Sequence, residues 1–97
     1  MNKVELIKTV SKKADIPKET VEIVTDTIME TITETLKNGD YVRLKNFGVF
    51  EVRPRAAHKA RNPKTNEPML LPPSNVPYFK PSRLFKDTIN GSKFKDG

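Results

Sequence analysis

The chain is 97 residues and 11.0 kDa, long enough for one domain, and it has no cysteine and a single histidine, His58. That composition excludes a disulfide framework, a thiolate metal site and a Cys/His nucleophile pair. The formal charge is +6, and all of it lies in the second half: residues 1–46 hold eight Lys/Arg and eight Asp/Glu, residues 47–97 ten against four. Such asymmetry points to nucleic acid or another polyanionic partner.

In chain order, Asn2-Lys3-Val4-Glu5 has the spacing of a capping box, with Asn2 as the cap and Glu5 reaching back. A helix to about Ala14 is expected, with Leu6, Ile7, Val10 and Ala14 on one face, broken by Asp15-Ile16-Pro17. A second helix is expected over about Pro17 to Asn38. Val21, Val24, Ile28, Ile32 and Leu36 recur at three- and four-residue steps on one side. Glu22, Asp26, Glu30 and Glu34 line the other, and that acidic stripe reads first as a solvated face. Its threonines are mediocre helix formers, so packing must hold this helix. Gly39 suits a left-handed C-terminal cap.

Tyr41-Val42-Arg43-Leu44 alternates as a short strand, Lys45-Asn46 as a turn, and Phe47 to Val52 as a second strand. Phe47 and Phe50 are three apart, so a regular strand sets them on opposite faces; Gly48 between them suggests a bulge or a close backbone approach. The run Arg53–Pro73 then carries Arg53, Arg55, Lys59, Arg61 and Lys64 against Glu67 alone. Its centre, Asn62-Pro63-Lys64-Thr65-Asn66, has turn chemistry, because Pro63 pre-sets φ and Asn tolerates the left-handed region. Val52 to Ala60 and Glu67 to Leu71 can pair as a long hairpin, in which Pro54 and Pro68 demand edge positions. Two strands bury too little to be stable alone, so this ribbon calls for a partner. Val76 to Phe79 reads as a return strand, and Ser82 caps a short helix to about Asn90. Lys80, Arg83 and Lys86 recur at three-residue steps along it, and a polar tail follows Gly91. The fold class is α+β: helical body 1–39, sheet 40–53 and 74–81, arm 53–73, helix 82–90 and tail 91–97.

Setting aside roughly 20 arm residues leaves about 75 for a body, a size at which one core supplies little stability. With 35% hydrophobic residues, at least a dimer is expected. No stretch resembles a signal peptide or approaches the roughly 20 apolar residues of a bilayer span, which predicts an intracellular, soluble protein without a membrane partner. A Gly-rich phosphate loop is missing and the helix acids do not converge, so no enzyme, cofactor, metal or small-molecule substrate is expected. His58 is expected to be exposed on the arm.

Taken together, Phe47-Gly48-x-Phe50, Arg55, Arg61-Asn62-Pro63-Lys64-Thr65 and Val76-Pro77-x-Phe79-Lys80-Pro81 resemble the HU/integration host factor family of bacterial DNA-bending proteins. The resemblance covers residues 1–90. It implies an intertwined homodimer with a three-stranded antiparallel sheet per chain, forming a saddle under the helices. Two β-ribbon arms would enter the minor groove of double-stranded DNA, favouring bent, nicked or kinked forms, in the nucleoid of a bacterial or phage-infected cell. Pro63 would be the intercalating wedge. The implied DNA contacts are Lys3, Arg53, Arg55, Lys59, Arg61, Asn62, Pro63, Lys64, Lys80, Arg83 and Lys86. The implied dimer core is Ile28, Ile32, Leu36, Leu44, Phe47, Phe50 and Phe79. Asn46 and Asn66 stand where the family usually has Gly, His58 where Arg or a small polar residue is common, and Pro68 and Leu70 make the returning strand less charged. Alternatives are a sequence-preferring member of the family, or a protein-interaction scaffold using the acidic helix face.

Overall fold

Two helices fill the N-terminal third because the chain caps both from its own side chains and backbone. The computed structural model describes residues 1–91; residues 92–97, which hold most of the expected polar tail, lie outside the described residues. The chain divides into two compact units, Met1–Thr35 and Leu36–Gly97.

In the first unit, helix α1 spans Lys3–Ala14 and Asn2 Oδ1 accepts the Glu5 N–H at 2.9 Å. This is the Asn2 half of the expected capping box. Asp15 ends the helix with φ 57, a left-handed conformation that Asp tolerates better than most residues. Helix α2 spans Lys18–Lys37, one residue shorter at each end than expected, and the Pro17 carbonyl accepts its first bond from Val21 N–H at 3.1 Å. Its threonines are accommodated by back-bonding. Thr27, Thr31, Thr33 and Thr35 each donate Oγ1–H to the carbonyl four residues earlier, at 2.7–2.8 Å, which satisfies the hydroxyl without improving the helix. Ile7 and Val21 are buried, yet Leu6, Val10, Val24, Ile28 and Met29 stay exposed. Those five residues help line an open apolar hollow of about 420 Å³.

The second unit contains strands β1 (Val42–Leu44), β2 (Gly48–Arg55), β3 (His58–Arg61), β4 (Pro68–Leu71) and β5 (Ser74–Pro81), then helix α3 (Arg83–Asn90). Strands β1, β2 and β5 form an antiparallel sheet in the order β1-β2-β5. The ladder between β2 and β5 is one-to-one from Gly48↔Pro81 to Arg55↔Ser74, so it carries no bulge at Gly48. The close approach does occur. A Cβ at Gly48 would lie 2.6 Å from the Lys80 carbonyl oxygen and 2.6 Å from the Phe79 ring.

Of the two expectations for Gly48, a bulge or a close backbone approach, the second holds, and the facing problem is resolved by the turn. Phe47 is not in the strand: it sits in the turn, donating its N–H to Leu44 O at 2.9 Å, and Asn46 before it adopts φ 66. Freed from the pleat, the Phe47 ring reaches the side of the sheet that Phe50 faces. Phe79 lies 5.4 Å from Phe47 and 4.8 Å from Phe50, and Phe85 of α3 stacks on Phe47 at 4.7 Å. Ser82 anchors α3 twice, its Oγ accepting the Phe85 N–H at 3.0 Å and its N–H donating to Phe47 O at 2.9 Å.

The arm is two ladders in series. The sheet continues to Arg55↔Ser74, and a separate two-stranded ladder pairs His58↔Leu71 through Arg61↔Pro68. The break falls where Ala56-Ala57 faces Pro72-Pro73, two prolines that can donate no ladder bond. Pro54 lies in β2, the middle strand, but beyond the last β1 pair, Val42↔Phe50, so that side of it is unpaired after all.

Replacing Gly48 by Ala is expected to cost about 1–3 kcal/mol, because a backbone oxygen and a packed ring must both shift. For a domain of this size each kcal/mol lowers Tm by roughly 4–8 °C. Thermal unfolding by circular dichroism, at one fixed protein concentration, checks this; an unchanged Tm would mean that the approach is looser than described.

Candidate nucleic-acid interface

The tip of the arm is closed by three hydrogen bonds that all involve Asn62. Asn62 N–H donates to Glu67 O at 2.9 Å, Asn66 N–H to Asn62 O at 2.7 Å, and Lys64 N–H to the Asn62 side-chain oxygen at 2.9 Å. Asn66 takes the left-handed φ of 60 that closes the turn. Arg61 Nη1 adds a bond to Asn66 O at 3.1 Å, leaving the rest of its guanidinium free. The Pro63 ring is exposed on top of this frame. A rigid apolar ring without an N–H is thus presented outward, with its flanking backbone already satisfied. Asn62 spends its side chain on shaping that tip.

Alternation along the strands sorts the remaining cations. In the distal ladder, Lys59 and Arg61 share a face with Leu70 and Pro68, while His58 and Ala60 share the other with Leu71 and Met69. His58 is half-buried rather than exposed as expected, with Nδ1 3.1 Å from Ala56 O. That carbonyl can only accept, so Nδ1 carries the proton. In the main sheet, one face holds Phe50, Val52 and Phe79. The opposite face holds Arg43 of β1, Glu51, Arg53 and Arg55 of β2, and Tyr78 and Lys80 of β5.

Arg53 is already engaged: Nε donates to Glu51 Oε2 at 3.1 Å and the guanidinium lies over the Tyr78 ring, 3.6 Å from its centroid. Arg55 lacks these restraints and is exposed. On α3, Arg83 and Lys86 are exposed, Arg83 making only a loose 3.9 Å ion pair with Asp87. Lys80 lies on β5 and not on the helix, so the three-residue spacing did not bring these residues together as a helical stripe. A different grouping does. Arg43, Lys45, Lys80 and Arg83 line one open hollow of about 450 Å³ with Asn46 and Ser82. Sequence reasoning missed Arg43 and Lys45, although both sit in segments it had read, because the pairing Arg43↔Val49 and Val49↔Lys80 is non-local.

Lys3, in the first unit, is bound to Asp26 at 2.6 Å, with both side chains about half exposed. The hydrogen bond that Lys3 donates to Asp26, then the Asp26 charge, raises the Lys3 pKa above its ordinary 10.5, with a smaller push from Glu22. A group raised this way contributes stability that is present below the ordinary lysine pKa and lost as pH rises through the raised one. Exposure makes that contribution small.

The expected core residues are grouped but not covered. Phe47, Phe50 and Phe79 form one ring cluster, with Phe47 still 44% exposed; Leu44 and Ile28 are exposed, and Ile32 and Leu36 half-buried.

The family model for bacterial DNA-binding proteins matches residues 1–90. DNA-binding protein HU 1 of Bacillus subtilis is 45% identical over 91 residues, covering 94% of this chain and 99% of that protein. HU of Thermotoga maritima is 47% identical over 89 residues, covering 92% and 99%. Among solved structures, an Anabaena HU–DNA cocrystal structure superposes with a TM-score of 0.80 at 44% identity, over 92% of this chain and 97% of that one. The chain belongs to the bacterial DNA-binding protein family, to which it is matched over nearly its full length, and the two relatives just described are HU proteins.

Asp26→Asn is expected to return the Lys3 pKa towards 10.5, read from the pH dependence of its side-chain NMR shifts. An unmoved value would mean that Asp26 does not hold Lys3 in solution.

Proposed function

We propose that two copies of this chain bind double-stranded DNA through their arms and bend it, an architectural role with little sequence preference in the bacterial nucleoid. The observation that carries the reading is the exposed Pro63 ring on a hydrogen-bonded tip at the end of a basic ribbon. Inserting an apolar wedge unstacks a base step for a few kcal/mol, and wrapped phosphate contacts offset that; this family is the standard example of the trade. Arg55 and Arg61 supply charge to the groove and its flanking phosphates, and Lys59, Lys64, Lys80, Arg83 and Lys86 to phosphates elsewhere along the duplex. Lys3 and Arg53 join only by exchanging the partners they now hold. Family membership and the likeness to a structure solved with DNA support the same reading.

A second copy is part of it. Leu6, Val10, Val24, Ile28 and Met29 leave an apolar hollow open in the first unit, and Leu84 and Ile89 leave α3 bare in the second. A self-complementary partner is the simplest cover for faces of this composition. No catalytic residue and no cofactor enters the reading.

Changing Arg55 and Arg61 together to Ala removes two cations per chain and four per homodimer. The slope of log K against log salt should then flatten by about 3.6, at about 0.9 per phosphate contact, with at least a tenfold affinity loss at low salt. Unchanged affinity would remove the arms from the interface. Pro63→Ala should reduce bending of a straight duplex, followed by fluorescence transfer between its ends, more than it reduces affinity for a pre-kinked one. Equal losses on both would argue against a wedge.

A further inference from the structure

The distal ladder of the arm carries one polar side chain that the bending reading leaves idle. His58 spends Nδ1 on the Ala56 carbonyl, 3.1 Å away, and that oxygen can only accept, so Nδ1 holds the proton. In the neutral ring the other nitrogen, Nε2, is then an acceptor with a free lone pair. It has no hydrogen-bond partner among the described residues, yet it is not a buried unsatisfied atom, so it reaches the surface. One bond thus fixes both the tautomer and the direction of the ring.

Register groups His58 and Ala60 with Leu71 and Met69 on one face of the ladder, and Lys59 and Arg61 with Leu70 and Pro68 on the other. The two faces suit different parts of a minor groove, which is about 6 Å wide and floored by base edges. Long cations such as Lys59 and Arg61 reach the phosphates at its rims. The floor takes the face that is small at Ala60 and apolar at Met69 and Leu71, and His58 is the one polar group on it. At that floor an A·T pair shows acceptors alone, whereas a G·C pair adds one donor, the guanine 2-amino group. Nε2 facing an A·T pair sets lone pair against lone pair; facing G·C, it finds an N–H. An arginine or lysine could not make that choice, because both only donate.

A half-buried histidine on a strand is ordinarily packing, and its bond to Ala56 would then only brace the ribbon. On DNA, however, that account leaves a desolvated acceptor unpaired, which costs more than an ordinary hydrogen bond contributes.

We propose that His58 reads a base: its Nε2 accepts a hydrogen bond from a guanine 2-amino group, so each arm favours a G·C pair at one position near the kink. The inference rests on the arms lying in the minor groove and adds one position of sequence preference to that reading.

His58 is five residues from Pro63, which at about 3.3 Å per residue puts the contact within roughly 16 Å of the wedge, about five base pairs. A·T duplexes nicked at one step to set the register should each carry a single G·C pair, walked through those positions on both sides. The full chain should bind one of them about threefold or more tighter than the all-A·T duplex, the scale of one neutral hydrogen bond. Hypoxanthine in place of that guanine, which removes only the 2-amino group, should abolish the gain, and 2,6-diaminopurine opposite thymine should restore it. His58→Leu should not distinguish the three bases, a ratio that holds whatever its overall affinity. Bending by the parent with no difference between guanine and hypoxanthine at any position, or the same difference in His58→Leu, would overturn the proposal and leave His58 as a brace. A parent chain that bent none of these duplexes would sink the minor-groove reading and this inference with it.

Discussion

Everything in this molecule depends on how little a single chain can bury. Among the described residues only Ile7 and Val21 are buried large apolar side chains, and the rest of the helical stripe lies open around a hollow. At about 25 cal/mol per Å² of apolar surface, a body of this size gains little net stability once ordering entropy is subtracted. The exposed faces are where stability must come from: a second chain for the helices, and DNA for the arms.

The sheet solves a related problem with one glycine. Gly48 lets the Lys80 backbone and the Phe79 ring approach to a distance no side chain permits. Phe47, placed in the turn just before it, then joins Phe50, Phe79 and Phe85 in one ring cluster. This arrangement fixes the register of β2 against β5, and register decides which side chains share a face. Arg43, Lys80, Arg53 and Arg55 point away from the rings because Phe50 and Phe79 point towards one another. Packing on one side thus sets electrostatics on the other.

What was legible in the sequence was local. Asn2, Gly39 and Ser82 cap helices as their chemistry requires, and Asn46 and Asn66 take the positive φ that stands in for glycine. The arm tip follows from Asn62-Pro63 and its neighbours. What was not legible depended on pairing between distant segments. Strand periodicity alone set Phe47 and Phe50 on opposite faces and left a bulge or a close backbone approach at Gly48 open; the close approach occurs, and the turn bond from Phe47 to Leu44 removed the need for a bulge. Arg43 and Lys45 joined the basic surface only once β1 and β5 flanked β2. Arg53 and Lys3, both expected to contact DNA, hold Glu51 and Asp26 in the chain without DNA, contacts with no signature in residue spacing.

The central claim is that this chain reaches its working form only as a pair. Sedimentation equilibrium of the free protein, with thermal unfolding followed over a hundredfold range of concentration, tests it most directly. A particle of twice the 11.0 kDa chain mass whose Tm rises with concentration is the expected result, since association of the folded chains stabilises them by mass action. A particle of one chain mass with a Tm independent of concentration would contradict the account.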